Sequence, residues 1–455
     1  MAPARSEAFD IVDRVLDLSP ADQTEAILLS TKTSLTRYAN SIIHQNVATS
    51  DTVLILRLVY DKQIGIVRTN RTDEASIKES IERAGKMARA QKPNKEFVSL
   101  PEDEGSEDVP NFSAKTDGST PEERAKVVED IVSIVSSQGV EKAFGALEAA
   151  TRSITVSNSL GIRAHNSLTL GHLVVTAIKE ANGEKGYGWG EDLKVDISKL
   201  DHRRMAERAA EKAAGSIGAK AIEPGEYTVV LESNAVADMV QSLASITFGA
   251  IAYQEGRSYV SGNLGQKVTG ESITLWDEGT RPEGVPVPFD GEGVPKKRVL
   301  LLESGVARGV VYDSYTAGRE GKKTTGHALL PPNPIGPLAM NTFLETGDSS
   351  EDEMVAETKR GIYVTRFHYT NPIDAPKALI TGMTRDGTFL IENGEIRGAV
   401  KNLRFTQGLM EAFAEATLIG KEREPHRYSS WLGVGASTVP PVKIENFRFT
   451  GVTEF

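Results

Sequence analysis

The residues able to do chemistry are few and scattered. The chain holds seven histidines, His44, His165, His172, His202, His327, His368 and His426, and no cysteine. A zinc ion held on a helix needs two imidazoles about one turn apart, and no pair has that spacing. His165 and His172 differ by an odd number, so on a strand they face opposite ways unless a turn intervenes. They read as separate strand residues. His202 reads as the opening of a helix, and His44 as a surface or half-buried strand residue. Without cysteine there is no thiol nucleophile, no disulfide framework and no Cys-ligated zinc or iron–sulfur centre. There is no G-x-S-x-G elbow. Gly186-Tyr187-Gly188-Trp189-Gly190 and Gly433-Val434-Gly435 resemble phosphate loops only loosely, because neither lies between a strand and a helix. The acidic triplets Glu102-Asp103-Glu104 and Glu351-Asp352-Glu353 read as a solvated linker and a helix start favoured by its dipole. Two richer stretches remain, Thr325-Gly326-His327 and Phe367-His368-Tyr369-Thr370-Asn371-Pro372. They group polar and aromatic side chains with turn formers. His327, His368, Tyr369 and Asn371 are therefore expected to touch substrate in a groove; loop packing with satisfied hydrogen bonds is the competing reading.

These residues must be positioned by a chain of 455 residues with 25% charged and 39% hydrophobic content, ordinary for a globular protein. Its 52 Lys+Arg against 63 Asp+Glu leave a net charge of -11, which argues against gripping phosphate backbones, so no nucleic-acid partner is expected. Apolar runs are strand-sized and the N-terminus has no apolar leader, so neither a membrane span nor secretion is expected, and the cytoplasm is the expected location. Residues 6–17 have helical spacing. From Thr24 to Asn70 the period changes to two, predicting five successive strands with breaks at Ala39-Asn40, Ser50-Asp51 and Asp61-Lys62. Thr72-Asp73 opens a helix to Ala90. Residues 92–119 form an acidic connector too poor in apolar residues for its own core. Thr120-Pro121-Glu122-Glu123 is a capping box with proline at the first helical position. Strands are predicted over 142–148, 152–158, 162–168 and 171–181, a flexible loop at Tyr187 to Gly190, and an alanine-rich helix from His202 to Gly215. The domain boundary is placed at Ile222-Glu223-Pro224-Gly225, giving domains 1–222 and 223–455. A helix from Asn234 to about Ile251 and a capped helix from Ser350 to Arg360 are expected in the second.

Five phrases in order resemble the TldD/PmbA family, proteins once labelled modulators of DNA gyrase. They are Thr36 to Val47 followed by Gly65 to Asn70; Glu223-Pro224-Gly225-Glu226-Tyr227-Thr228-Val229-Val230-Leu231; Glu255-Gly256-Arg257-Ser258-Tyr259 through Gly265; Phe289-Asp290-Gly291-Glu292-Gly293-Val294-Pro295; and Phe389 to Ile396. The resemblance implies an α+β fold: an N-terminal half with an antiparallel sheet and a β-rich, barrel-like C-terminal half.

The resemblance also implies two kinds of subunit. The TldD kind looks like a zinc peptidase with H-E-x-x-x-H on a helix soon after the second phrase and a cysteine ligand near its C-terminus. The PmbA or TldE kind lacks these ligands and pairs with the first. Gln241, Ser242 and Ile246 stand here where His, Glu and His would, and no histidine lies between His202 and His327. A hydrolytic zinc needs about three protein ligands and a water; an amide and a hydroxyl are poor ligands and a hydrocarbon is none. The expectation is a subunit with no metal, cofactor or catalytic residue of its own. It would form a heterodimer with a TldD-like zinc peptidase and help enclose unfolded peptide. The alternatives are a free-standing homodimeric peptide-binding protein, or a peptidase whose metal site uses His327 or His368 with nearby carboxylates.

Overall fold

Period-two alternation in the first half builds a single sheet whose two faces have different tasks. The computed structural model describes residues 3–428 and 434–453; Gly433, one of the glycines noted above, lies outside the described residues. Strands β1 (Gln23–Ala39), β2 (Ile42–Tyr60), β3 (Gln63–Thr69), β4 (Lys142–Asn158), β5 (Arg163–Ala181) and β6 (Glu184–Lys194) form an antiparallel sheet in the order β3-β2-β1-β4-β5-β6. The break expected at Ser50-Asp51 does not occur. Ser50 and Asp51 pair in register with Lys32 and Thr31, so the backbone ladder continues through polar residues. The five predicted strands between Thr24 and Asn70 are therefore three, and the four between 142 and 181 are two. Asn158 makes the one real turn there, its Oδ1 accepting from the N–H groups of Leu160 (2.9 Å) and Ile162 (3.1 Å).

Helices cover one face. Helices α1 (Arg5–Leu18) and α2 (Glu74–Ala90) pack Phe9, Val12, Ile77 and Ile81 on Leu28, Leu54, Leu56 and Val67. After the connector, which carries the short α3 (Ala114–Asp117), α4 (Pro121–Ser137) begins at the expected capping box. It and α5 (His202–Gly215) bury Val128, Ile131, Met205 and Ala209 against Leu147, Leu173 and Val175. The connector has no core of its own, but Phe97 and Leu100 are buried beside Val59. The predicted flexible loop at Tyr187 to Gly190 is instead part of β6. Its glycines alternate so that α5 can approach: a Cβ on Gly186 would lie 2.1 Å from the Ala213 carbonyl oxygen, and one on Gly188 would lie 1.9 Å from that of Ala209. Here glycine serves close packing rather than flexibility.

The opposite face, made by odd-numbered residues of β1, β2 and β6 and even-numbered residues of β4 and β5, rests on the C-terminal half. Ile27, Ile55, Val156 and Ala164 meet Phe289 and Val294, and Ala150, Leu170 and Leu193 meet Val285 and Ala436.

In that half β7 (Gly225–Leu231), β12 (Arg360–Asp374), β13 (Leu379–Glu392), β15 (Leu403–Gly408) and β19 (Val442–Val452) close into a ring, because β12 pairs with both β7 and β13. Strands β14 (Glu395–Ala399) and β16 (Ala416–Ile419) attach to it. A third sheet has the order β10-β9-β8-β11-β18-β17, from β8 (Leu275–Asp277), β9 (Val299–Glu303), β10 (Val306–Ala307), β11 (Asn341–Leu344), β17 (Glu424–Arg427) and β18 (Ala436–Val439). The architecture is α+β, with an antiparallel N-terminal sheet and a barrel-like C-terminal half. Helix α6 (Ser233–Thr247) is followed by the short α7 (Ala250–Gln254) and α8 (Ser314–Arg319). Helix α9 (Glu351–Ala356) has the expected Ser350–Glu353 capping box but ends earlier than predicted, because Arg360 and Gly361 already belong to β12. Among the described residues no helix is long and apolar enough to cross a membrane.

Candidate functional site

Helix α6 is amphipathic, and its two faces define the site. Val236, Met239, Val240, Leu243 and Ala244 enter the largest core, which also holds the packed rings of Phe367, Phe405 and Phe447. Asn234, Asp238, Gln241, Ser242 and Ser245 recur at three- and four-residue spacing, so they share the other face. All but the exposed Ser245 are half-buried, because this face looks across the junction of the two halves.

At its N-terminal end the face meets a polar network. Glu191 on β6 accepts from Asn234 Nδ2 (2.9 Å), pairs with His172 Nε2 on β5 (2.7 Å) and lies 3.2 Å from His426 Nδ1 on β17. The other ring nitrogen of His426 meets Ser233 Oγ at 2.9 Å. Arg427 donates to Glu148 Oε2 (3.2 Å) and to His172 Nδ1 (3.3 Å), which leaves Nε2 as the nitrogen of His172 that donates to Glu191. Burial works against ionised Glu191, yet the hydrogen bonds from His172 and His426 hold its carboxyl well below the usual range.

Asp238, one turn further along, makes no hydrogen bond or ion pair among the described residues. Burial pushes its carboxyl up to about 7, with Glu191 adding to the shift and Arg366 opposing it. Arg366 itself is taken by Asp386 (Nε to Oδ2, 2.8 Å) and lies 5.1 Å from the centre of the Trp189 ring.

Gln241 and Ser242 follow. Gln241 Nε2 donates to the carbonyl of Arg427 (3.2 Å), and the Tyr428 hydroxyl donates back to the Gln241 carbonyl (3.4 Å). Ile246 is half-buried against the core. These residues do not fit a zinc ion: the amide is committed to a backbone carbonyl, the hydroxyl is a weak donor and the isoleucine has no donor atom. Among the described residues no group of three or more His, Cys, Asp or Glu is arranged to hold a metal.

The four residues expected to touch substrate fall in two places. His368 lies on β12 beside Arg366 and Arg385, and burial followed by those charges depresses its pKa. Tyr369, at a positive φ of 56°, is 75% exposed, and its carbonyl accepts from Asn371 Nδ2 (2.7 Å). His327 is apart from them and buried. Its Nε2 pairs with Asp277 Oδ1 (2.9 Å), and its Nδ1 lies 2.9 Å from the Thr325 carbonyl oxygen. Sequence reasoning missed Asp238, Glu191, Arg366 and the role of His426. The spacing of Asn234, Asp238, Gln241 and Ser245 was the available signal for the first.

A ringed sheet, a helix-covered antiparallel sheet and a helix facing their junction define an α+β protein of two packed halves. The comparisons make this specific. Models of the PmbA/TldA metallopeptidase match domain 1 over residues 24–88, the central domain over 70–217 and the C-terminal domain over 224–451. The chain belongs to this family. A metalloprotease of Methanocaldococcus jannaschii is 23% identical over 81% of this chain and 83% of its own length. The metalloprotease PmbA of Escherichia coli O157:H7 is 22% identical over 63% and 61%. The crystal structure of TldE from Thermococcus kodakarensis superposes with a TM-score of 0.87 at 21% identity, covering 98% of this chain and 100% of that one, a likeness of fold.

Proposed function

We propose that this chain is a metal-free, noncatalytic subunit of a TldD/TldE-type metallopeptidase that pairs with a zinc-bearing TldD-like subunit and helps enclose unfolded peptide. The observation that carries the reading is the chemistry of α6. Gln241, Ser242 and Ile246 occupy the positions that the family resemblance gives to the H-E-x-x-x-H ligands, and Gln241 is spent on fixing the end of β17. A hydrolytic centre needs a metal-activated water and a base beside it, and this face supplies neither ligand set nor an aligned base. What it does supply suits binding. The half-buried Asn234, Asp238, Gln241 and Ser242 line one side, and on β12 the exposed Tyr369 and Asn371 and the half-buried His368 offer aromatic and hydrogen-bonding contacts. Contacts of that kind tolerate varied sequence when the peptide backbone supplies the pairing.

The test is co-purification of the chain from its host, followed by assay of an unfolded peptide with each subunit alone and both together. The reading requires an H-E-x-x-x-H-bearing partner, with hydrolysis only by the pair or by that partner. Recovery of a homodimer alone would favour a free-standing peptide binder. Hydrolysis by this chain alone would overturn the proposal.

A further inference from the structure

A second space lies where the helix-free face of the first sheet meets the C-terminal loops. It is a cavity of about 190 Å³. Leu29, Ile154 and Leu168 wall it from the sheet, and Phe289, Leu338 and Met340 wall it from the other half. An apolar cavity of about 150 Å³ accommodates benzene, so this one has room for a single large apolar side chain.

Two cations line this apolar space. Lys296 has a side chain only 7% exposed, makes no hydrogen bond through Nζ among the described residues, and its nearest carboxylate oxygen, on Asp277, is 3.7 Å away. That oxygen is already engaged by His327, and the other oxygen of Asp277 accepts from the Asn341 N–H (2.7 Å). Arg152 on β4 also lines the cavity and has no hydrogen bond or ion pair among the described residues; the charges that act on it are Arg427, which repels it, and Glu148, which already accepts from Arg427. Cations drawn out of water are ordinarily paired, so a buried ammonium with its one carboxylate 3.7 Å away and a half-buried guanidinium with no hydrogen bond among the described residues leave room at this oily space for an anion. Asp290 does not serve. Its oxygens accept from three backbone N–H groups, of Glu292 (2.9 Å), Val294 (3.0 Å) and Ala328 (2.7 Å). Burial and the neighbouring Glu292 push its carboxyl upward, which favours its uncharged form and lessens its claim on the two cations.

We propose that this cavity binds an apolar group ending in a carboxylate, with Lys296 and Arg152 holding the carboxylate and the Leu29–Phe289–Met340 walls holding the side chain. The volume admits one residue, which fits the C-terminal residue of a peptide or a free small acid of the same shape. Only the choice of peptide as source rests on the proposed function; the pocket itself needs no partner subunit.

The test is calorimetric titration of the full chain with N-acetyl-leucine and with a tripeptide ending in leucine, each against its C-terminal amide. The free acids should bind at least about tenfold more tightly than the amides, as expected for losing a charged hydrogen bond. Lys296→Met and Arg152→Gln should each remove most of that difference. Preference for the tripeptide over N-acetyl-leucine identifies a peptide terminus as the ligand, and equal binding identifies a small acid. Equal affinity for acid and amide, no binding by either, or full acid preference in both variants would overturn the proposal. Should Lys296→Met fail to fold, Arg152→Gln, at a half-buried strand position, carries the test alone.

Discussion

Replacing Arg57 by methionine tests how the two halves are joined. Arg57 on β2 reaches across the junction, and its Nη2 lies 2.7 Å from Glu25 Oε1 and 2.9 Å from Glu292 Oε1. Both carboxylates are buried, Glu25 completely and Glu292 at 3% exposure. Glu292 also accepts from the Ser314 hydroxyl (2.7 Å) and N–H (3.1 Å), so the pair fixes α8 as well as the loop carrying Phe289. Methionine keeps the volume of the stem but strands two buried charges. Breaking a buried pair by removing one partner costs about 3–5 kcal/mol. The loss should depend on pH. Burial already raises the Glu25 pKa, and without the guanidinium it rises further. A carboxyl whose folded pKa lies above its unfolded value contributes stability at low pH and loses it as pH rises through the folded value. Urea unfolding at pH 8 should therefore show a deficit of about 3–5 kcal/mol, and a smaller one at pH 5, because the raised Glu25 carboxyl takes up its proton at a higher pH in the folded chain than in the unfolded one. A deficit under about 1 kcal/mol at pH 8, or one equal at both pH values, would refute the reasoning.

Other outcomes follow from single contacts. Gly188→Ala places a Cβ 1.9 Å from the Ala209 carbonyl oxygen and must push α5 off the sheet; it should cost about 2 kcal/mol or more in chemical denaturation, while Gly225→Ala, with its nearest neighbour 3.8 Å away, should fall within about 0.5 kcal/mol of wild type. Asp238→Asn removes a half-buried, unpartnered carboxylate whose pKa is raised to about 7. Because such a carboxylate destabilises progressively as pH rises between its unfolded and folded pKa values, thermal unfolding should show a gain of about 2 kcal/mol at pH 8 and little change at pH 4. Gln241→Ala should cost about 1 kcal/mol for the lost bond to Arg427 and leave the metal content of the purified chain unchanged.

Much of this was legible in the residues themselves, and the failures share a cause. Helix starts were readable because a cap is local: Thr120 with Glu123 and Ser350 with Glu353 satisfy their own donors. Strand number was misread where polar residues such as Ser50 and Asp51 continue a ladder whose partner lies elsewhere in the chain. The Gly186-Gly188-Gly190 stripe looked like a loop because its reason, the backbone of α5, is met only in three dimensions. The same holds for function. The unsuitability of α6 for zinc could be read from Gln241, Ser242 and Ile246 once the resemblance placed them. The Glu191–His172–His426 network and the Lys296–Arg152 cavity could not, since each gathers residues from strands and loops far apart in sequence.

The most direct test of the central claim is the rate of hydrolysis of an unfolded peptide by this chain reconstituted with the proposed H-E-x-x-x-H partner, with one subunit altered at a time. Substituting the zinc ligands of that partner should abolish hydrolysis, whereas Gln241→Ala and Ser242→Ala here should leave the rate at saturating peptide within about twofold and act through KM alone, since neither residue acts on a metal-bound water. Hydrolysis that survives loss of the partner's ligands, or that falls with Ser242→Ala as steeply as with them, would contradict the account.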